Sequence, residues 1–325
     1  MRLATLRDGS PDGRLLVVSA DGRRGIDARA AAGSLRAALD DWPRTSASLA
    51  ELSRALDKGS PAAFELDVAA LAAPLPRATE WVDGSAYLNH VRLVRRARNA
   101  PPPATLESDP LVYQGGASDM LGPRAPFPLV DPRYGLDFEA ELGVVLGDTP
   151  QGTRAETAAQ HVQLLVCLND WTYRNLVPEE LAKGFGFFNS KPATGFAPFA
   201  ITPDELGGAW LDGKVLGTMF VAVDGERVGE PETGPEMHFS FFRLIEHICK
   251  TRRFGAGTIV GSGTISNADL ARGISCLQEQ RALETIASGA PQTPFLKVGS
   301  RVHIEFRLAD GTAPFGSIDQ EVVGT

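Results

Sequence analysis

Apolar and polar positions along this chain repeat mostly with a period of two, the spacing of a strand with one buried face. Leu15 to Val18 is an apolar run closed by Asp21-Gly22, a pair suited to the positive φ of a hairpin turn. Val302, Ile304 and Phe306 alternate with Arg301, His303, Glu305 and Arg307, and Asp310-Gly311 turns the chain back. Met219 to Val223 reads as a strand ended by Asp224-Gly225, and Leu111-Val112-Tyr113 as another after the loop Pro101-Pro102-Pro103. Phe138 to Leu146 alternates acidic with apolar residues and then becomes wholly apolar. Helical spacing is read over Thr157 to Val166 and over Phe239 to Cys249, while Ser48 with Glu51 makes a capping box before a short helix. The Ala/Pro-rich run Leu71 to Pro76 reads as a linker. These elements predict a mixed, β-rich fold with peripheral helices, divided into a small β-rich domain over 1–75 and a larger one over 76–325.

Composition narrows the class. At 325 residues and 43% hydrophobic, the chain can bury a sizeable core. Its net charge of −8 argues against a nucleic-acid or anionic-membrane footprint and leaves a small molecule as the expected partner. Cys167, Cys249 and Cys276 are odd in number, far apart and in apolar surroundings, which predicts buried free thiols in a reducing compartment. Residues 1–10 lack the apolar core of a signal peptide, and no window approaches about 18 uninterrupted apolar residues, so a cytoplasmic location is expected.

The chemistry concentrates in acids. In Asp137-Phe138-Glu139-Ala140-Glu141-Leu142 the strand period sends Glu139 and Glu141 to one face, their Cβ atoms roughly 7 Å apart. Alone, such a pair is ordinarily two solvated acids. Beside a strand that continues into Val144-Val145-Leu146 they resist burial unless protonation, basic partners or a cation offsets the charge. Asp83 in Trp81-Val82-Asp83-Gly84 and Asp170 in Asn169-Asp170-Trp171 also stand where apolar segments end. Four oxygen donors without clustered imidazole or thiolate favour Mg²⁺, Ca²⁺ or Mn²⁺ over zinc.

These segments, in this order and spacing over roughly residues 80 to 320, resemble the catalytic domain of the fumarylacetoacetate hydrolase family. Asp83-Gly84-Ser85-Ala86-Tyr87-Leu88-Asn89-His90 is similar to the family segment with a metal-binding Asp and, seven positions on, a catalytic His. The resemblance implies a β-roll catalytic domain and a divalent cation, Mg²⁺ or Ca²⁺ with Mn²⁺ possible, held by Asp83, Glu139, Glu141 and Asp170. It implies His90, Glu279 and Lys191 as catalytic residues and Tyr113 and Arg174 as substrate-binding residues. Thr264, in Gly261-Ser262-Gly263-Thr264-Ile265-Ser266, joins the substrate-binding set. The supporting acid could be displaced by one residue, leaving Gln278 as the alternative to Glu279. Val177 and Ser85 depart from the family pattern, at a Gln and a Tyr position, and leave the substrate open. The implied activity is hydrolysis of a C–C bond in a 1,3-diketone acid, fumarylacetoacetate first, in aromatic amino-acid catabolism, by a homodimer. Acylpyruvate hydrolysis, oxaloacetate decarboxylation and 2-oxo-pentenoate hydration on the same scaffold are the alternatives. A non-catalytic metal- or metabolite-binding protein is the alternative of another class.

The remaining candidates have plainer readings. His161, His238, His247 and His303 have no acidic motif at ligand spacing, and Lys183 reads as an exposed helix-end charge. Arg92, Arg95, Arg96 and Arg98 have the spacing of a solvated helix face, from which Arg98 could reach a substrate carboxylate.

Overall fold

The strand Val162–Tyr173 is buried along almost its whole length and forms the spine of the larger sheet. It pairs antiparallel with Ala140–Leu146, placing Leu168 opposite Glu141, and with Ala193–Phe196, placing Asp170 opposite Thr194. Beyond Ala140–Leu146 lies Ile259–Gly261, which runs parallel to Trp81–Gly84, so that Gly261 faces Asp83. Val112–Gly115 completes that side and sets Tyr113 opposite Asp83. The register of neighbouring strands therefore gathers Asp83, Tyr113, Glu141 and Asp170 at one part of the sheet. This computed structural model describes residues 1–325.

A second sheet is built from Glu226–Gly229, Thr218–Val223, Arg301–Arg307, Ser317–Gly324 and Phe127–Leu129. Its central strand has the expected alternation: Val302, Ile304 and Phe306 are fully buried, and each such side chain contributes about 2 kcal/mol of burial. The turn at Asp224-Gly225 has positive φ at both residues, 53° and 84°, as the hairpin reading requires. The helix Phe241–Ile248 lies within the segment that helical spacing marks. The fold is mixed and β-rich, and no helix is long and apolar enough to cross a membrane.

Three local expectations give way. Thr157 to Val166 is not one helix: a short helix Ala155–Ala158 and a 3₁₀ turn lead directly into the long strand at Val162. A strand buried on both faces has no polar phase, so its apolar run is ambiguous with a helix. Ser48 caps nothing, because it lies inside the helix Trp42–Asp57; the side-chain cap is Ser34, which accepts from Ala37 N before the helix Leu35–Asp40. Leu71 to Pro76 is not a free linker, since Leu71, Ala73 and Leu75 are buried and Ala72 N donates to Thr5 O. The N-terminal strands extend the larger sheet through Arg2 opposite Ile201 and Leu3 opposite Ala200.

Candidate active site

Asp83 ends the strand Trp81–Gly84, Glu141 is the second residue of Ala140–Leu146, and Asp170 lies near the end of Val162–Tyr173. One carboxylate oxygen from each falls within 4.8 Å of the others. Close approach here depends on a missing side chain: a Cβ on Gly261 would lie 2.4 Å from Asp83 Oδ1. Gly263, at φ 74°, turns its N–H back to donate to the same oxygen at 3.0 Å.

Glu139 is placed differently from its expected neighbour. It sits between the short strand Leu136–Asp137 and Ala140–Leu146, outside the group of three acids. Its Oε2 accepts from Lys191 Nζ at 2.5 Å, and its Oε1 lies 2.7 Å from Arg174 Nη2, an ion pair whose angle falls short of a hydrogen bond. Lys191 also donates to Asp170 Oδ2 at 2.6 Å, so it ties Glu139 to the acid cluster. Asp170 receives two further donors, Tyr113 Oη at 2.5 Å and Thr194 Oγ1 at 3.2 Å.

Charge answers this layout. Burial, then the Asp170 charge, pushes the Asp83 carboxyl up to about 8. Burial and the neighbouring acids Asp83 and Glu139 hold Glu141 well above the carboxylate range, and burial also raises Asp170 against the pull of Lys191. Glu139 goes the other way: burial opposes its charge, but Arg174 and then Lys191 keep it far below the usual range. Both carboxylate oxygens of Glu141 are buried and accept no hydrogen bond from the chain. Buried acceptors beside two more carboxylates are the condition a hard divalent cation satisfies. Asp83, Glu141 and Asp170 thus fit such an ion, with Glu139 next to them but already matched to Lys191 and Arg174.

Across from the acids, His90 on the helix Leu88–Ala97 meets Glu279 on the helix Leu277–Ser288, with Nδ1 and Oε1 3.0 Å apart. Gln278, the other candidate, instead donates its backbone N–H to Asp137 Oδ2 at 2.9 Å. Asp137 is fully buried. Its Oδ1 accepts from Phe138 N and Leu277 N at 2.8 Å each, and its Oδ2 also accepts from Arg174 Nε at 2.7 Å. One carboxylate therefore caps the helix that carries Glu279 and holds Arg174 in place, satisfying orphan N–H groups at a helix start. Glu180 has a similar part near Lys191, accepting from Phe188 N at 2.9 Å, Asn189 N at 2.6 Å, Ser190 N at 3.2 Å and Ser190 Oγ at 2.5 Å. Asp137 opens the segment of the paired glutamates and Glu180 stands in no motif, and only the contacts reveal what either does.

A cavity of about 470 Å³ joins the two sides. Asp83, His90, Tyr113, Glu139, Arg174, Lys191 and Thr264 all line it, and Arg98 stands exposed on its wall. Glu141, Asp170 and Glu279 lie behind that lining. Ser85 and Val177, the two departures from the family pattern, both line the cavity, beside the apolar Val94, Leu111 and Phe187. Lys183 is exposed and outside it; His161, His238, His247 and His303 also lie outside it, His238 exposed and the other three partly buried.

A family model described as fumarylacetoacetate (FAA) hydrolase C-terminal matches residues 79–323, and one for fumarylacetoacetase N-terminal domain 2 matches residues 1–77. An uncharacterized protein of Pyrococcus abyssi is 28% identical over 176 residues, 54% of this chain and 74% of that protein. One from Staphylococcus aureus strain USA300 is 31% identical over 157 residues, 47% and 49% of the two chains. The fold is shared with the fumarylacetoacetate hydrolase of the psychrophilic Exiguobacterium antarcticum, at TM-score 0.69 and 19% identity over 100% of both chains. It is shared with the maleylpyruvate hydrolase of Sphingobium sp. SYK-6 in complex with manganese(II) and pyruvate, at TM-score 0.67 and 18% identity over 100% of this chain and 99% of that one. A 5-carboxymethyl-2-hydroxymuconate delta-isomerase of Mycobacterium smegmatis gives TM-score 0.60 and 16% identity, again over 100% and 99%. The C-terminal family model spans every strand and helix that delivers Asp83, His90, Glu141, Asp170, Lys191 and Glu279, and the chain belongs to the fumarylacetoacetate hydrolase family.

Proposed function

We propose that this protein is a divalent-cation-dependent hydrolase that cleaves a C–C bond in a 1,3-diketone acid, with fumarylacetoacetate as the leading substrate and fumarate and acetoacetate as products. The observation that carries this reading is that a His–Glu pair and an acid cluster open onto one cavity, His90 with Glu279 on one side and Asp83 with Lys191 on the other. A protein that only bound a metal or metabolite would need the acids but not the paired imidazole.

Asp83, Glu141 and Asp170 would hold the cation, with Glu139 beside them, and the all-oxygen set suits Mg²⁺, Ca²⁺ or Mn²⁺. When bound, the cation polarises the substrate's carbonyl oxygens and stabilises the electron pair left by C–C cleavage. His90, its Nδ1 held by Glu279, takes a proton from water through Nε2, and the buried Glu279 carboxylate balances the imidazolium that forms. Water then adds to the carbonyl, and collapse of the tetrahedral adduct breaks the bond to the neighbouring carbon, which takes up the proton held by His90 and so restores the base. Lys191 presents its ammonium beside the acids, and Tyr113, Arg174 and Thr264 orient the substrate's oxygen groups. Arg174 spends Nε on Asp137 and Nη2 on Glu139, which fixes its plane before substrate arrives.

Acylpyruvate hydrolysis is the second reading, with oxaloacetate decarboxylation and 2-oxo-pentenoate hydration behind it. Ser85 and Val177, which line the cavity where the family pattern has a Tyr and a Gln, leave the choice among these substrates open. A panel assay with Mg²⁺, Mn²⁺ or Ca²⁺, following loss of ultraviolet absorbance from fumarylacetoacetate, acylpyruvates and oxaloacetate, distinguishes these substrates. His90→Ala is expected to lower kcat by about 10² to 10⁴ while leaving cation binding intact, and Glu141→Ala to lose both. Full turnover in His90→Ala sinks the assignment of the base. The same reading carries a homodimer, which light scattering of the purified protein checks.

A further inference from the structure

Behind the base lies a donor set that proton transfer does not use. One donor atom each of His90, Cys276 and Glu279 lies within 4.8 Å of the others, with 3.0 Å between His90 Nδ1 and Glu279 Oε1 and 4.0 Å between Cys276 Sγ and His90 Nδ1. Cys276 is fully buried and Glu279 nearly so, while His90 alone of the three lines the 470 Å³ cavity. Cys276 precedes the helix Leu277–Ser288, yet its side chain caps none of the helix amides; Asp137 does that work. The thiol is thus turned to the imidazole instead. Donors bound to a tetrahedral zinc at about 2.0 to 2.3 Å stand about 3.3 to 3.6 Å apart, and the two measured separations bracket that spacing.

We infer that His90, Cys276 and Glu279 form a second ion site, for a thiophilic divalent metal such as zinc or cobalt, and that its occupation switches the enzyme off. Nitrogen, sulfur and carboxylate donors are chemically unlike the all-oxygen cluster of Asp83, Glu141 and Asp170, so the two sites sort ions by softness. On binding, the Cys276 thiol gives its proton to solvent, and the imidazole's one proton, which faces Glu279 on Nδ1, passes through solvent to Nε2. The Nδ1 lone pair, the thiolate and the Glu279 carboxylate then bind the ion, the two anions match its double charge, and cavity water takes the fourth position. His90 Nε2 is left protonated and Nδ1 coordinated, so neither nitrogen can accept a proton from the attacking water. The inhibition rests on His90 being the base; the binding does not.

The test uses the full protein saturated with Mg²⁺ and titrated separately with Co²⁺ and Zn²⁺. One Co²⁺ is expected per chain, with a thiolate-to-cobalt charge-transfer band in the near ultraviolet that is absent in Cys276→Ala and Cys276→Ser and persists in Asp83→Asn. Zinc is expected to stop wild-type turnover, and the cysteine variants to need about tenfold more zinc relative to their own zinc-free rates, one ligand's loss. A wild-type cobalt complex without the thiolate band overturns the site. Equal zinc sensitivity in Cys276→Ser puts the inhibitory ion among the carboxylates and overturns the switch, as does a full band with unchanged turnover. If no diketone acid is turned over at all, the proposed reaction fails, and the wild-type band still decides whether the site exists.

Discussion

Glu139 and Glu141 are two positions apart, equally buried, and solved in opposite ways. Glu139 is neutralised inside the chain by Lys191 and Arg174, whereas Glu141 has no hydrogen-bond donor at either oxygen. The raised acids set a pH dependence for the cation-free protein. Asp83 shifts from 3.8 to about 8, so the folded state holds a proton there that the unfolded chain releases. That contribution to stability is complete below the unfolded value and is lost as pH rises through the folded one. Thermal melts without divalent ions should therefore fall in midpoint between about pH 4 and about pH 8, and saturating Mg²⁺ or Mn²⁺ should flatten that fall. A cation-free melting curve that rises across the window refutes the assignment of buried, protonated acids. Asp137→Asn tests the hidden anchor. An amide in place of one oxygen turns a donor toward Arg174 Nε or the helix amides, at a cost of about 3 kcal/mol in urea denaturation. Because Glu279 rides on that helix, kcat should fall with it.

At the scale of elements, glycine decides how closely strands approach the site. Gly261→Ala would push a methyl to 2.4 Å from Asp83 Oδ1 and equally close to the Trp81 ring, both of which must move. It should destabilise the fold by about 1 to 3 kcal/mol and weaken cation binding measured by calorimetry. Unchanged cation affinity would show that Asp83 does not contribute to the site. Hairpins were legible from Asp-Gly pairs because their φ requirement is local. The strand at Val162 was not, because burial on both faces erases the alternation that marks a strand. The helix beginning at Leu277 was equally obscure, since its N-terminal cap comes from Asp137, 140 residues earlier in the chain.

Across the whole molecule, the N-terminal strands add to the edge of the sheet that delivers Glu141 and Asp170, so the two family-model regions share one hydrogen-bonded framework. A cation that binds only the folded form should stabilise that framework as a unit. At a hundredfold excess over Kd the gain is about 2.7 kcal/mol, read as one cooperative shift in the melting curve. Two separated transitions, only one of them responsive to the ion, would show that the N-terminal strands fold apart from the site.

The sequence by itself determined the residue types and the spacing: an Asp seven positions before a His, two acids alternating on a strand, and an Asn-Asp-Trp segment. From these the family and the list of candidate acids follow, since motif spacing is local and survives in a linear string. Only the tertiary structure decided which acids meet. Strand register placed Asp83, Glu141 and Asp170 together, and the reach of Lys191 and Arg174 drew Glu139 into ion pairs instead. It also exposed Asp137, Glu180 and Cys276 as partners of the site. Their parts rest on contacts between residues distant in sequence, and the electrostatics of a buried charge depends on what the fold brings within a few ångströms.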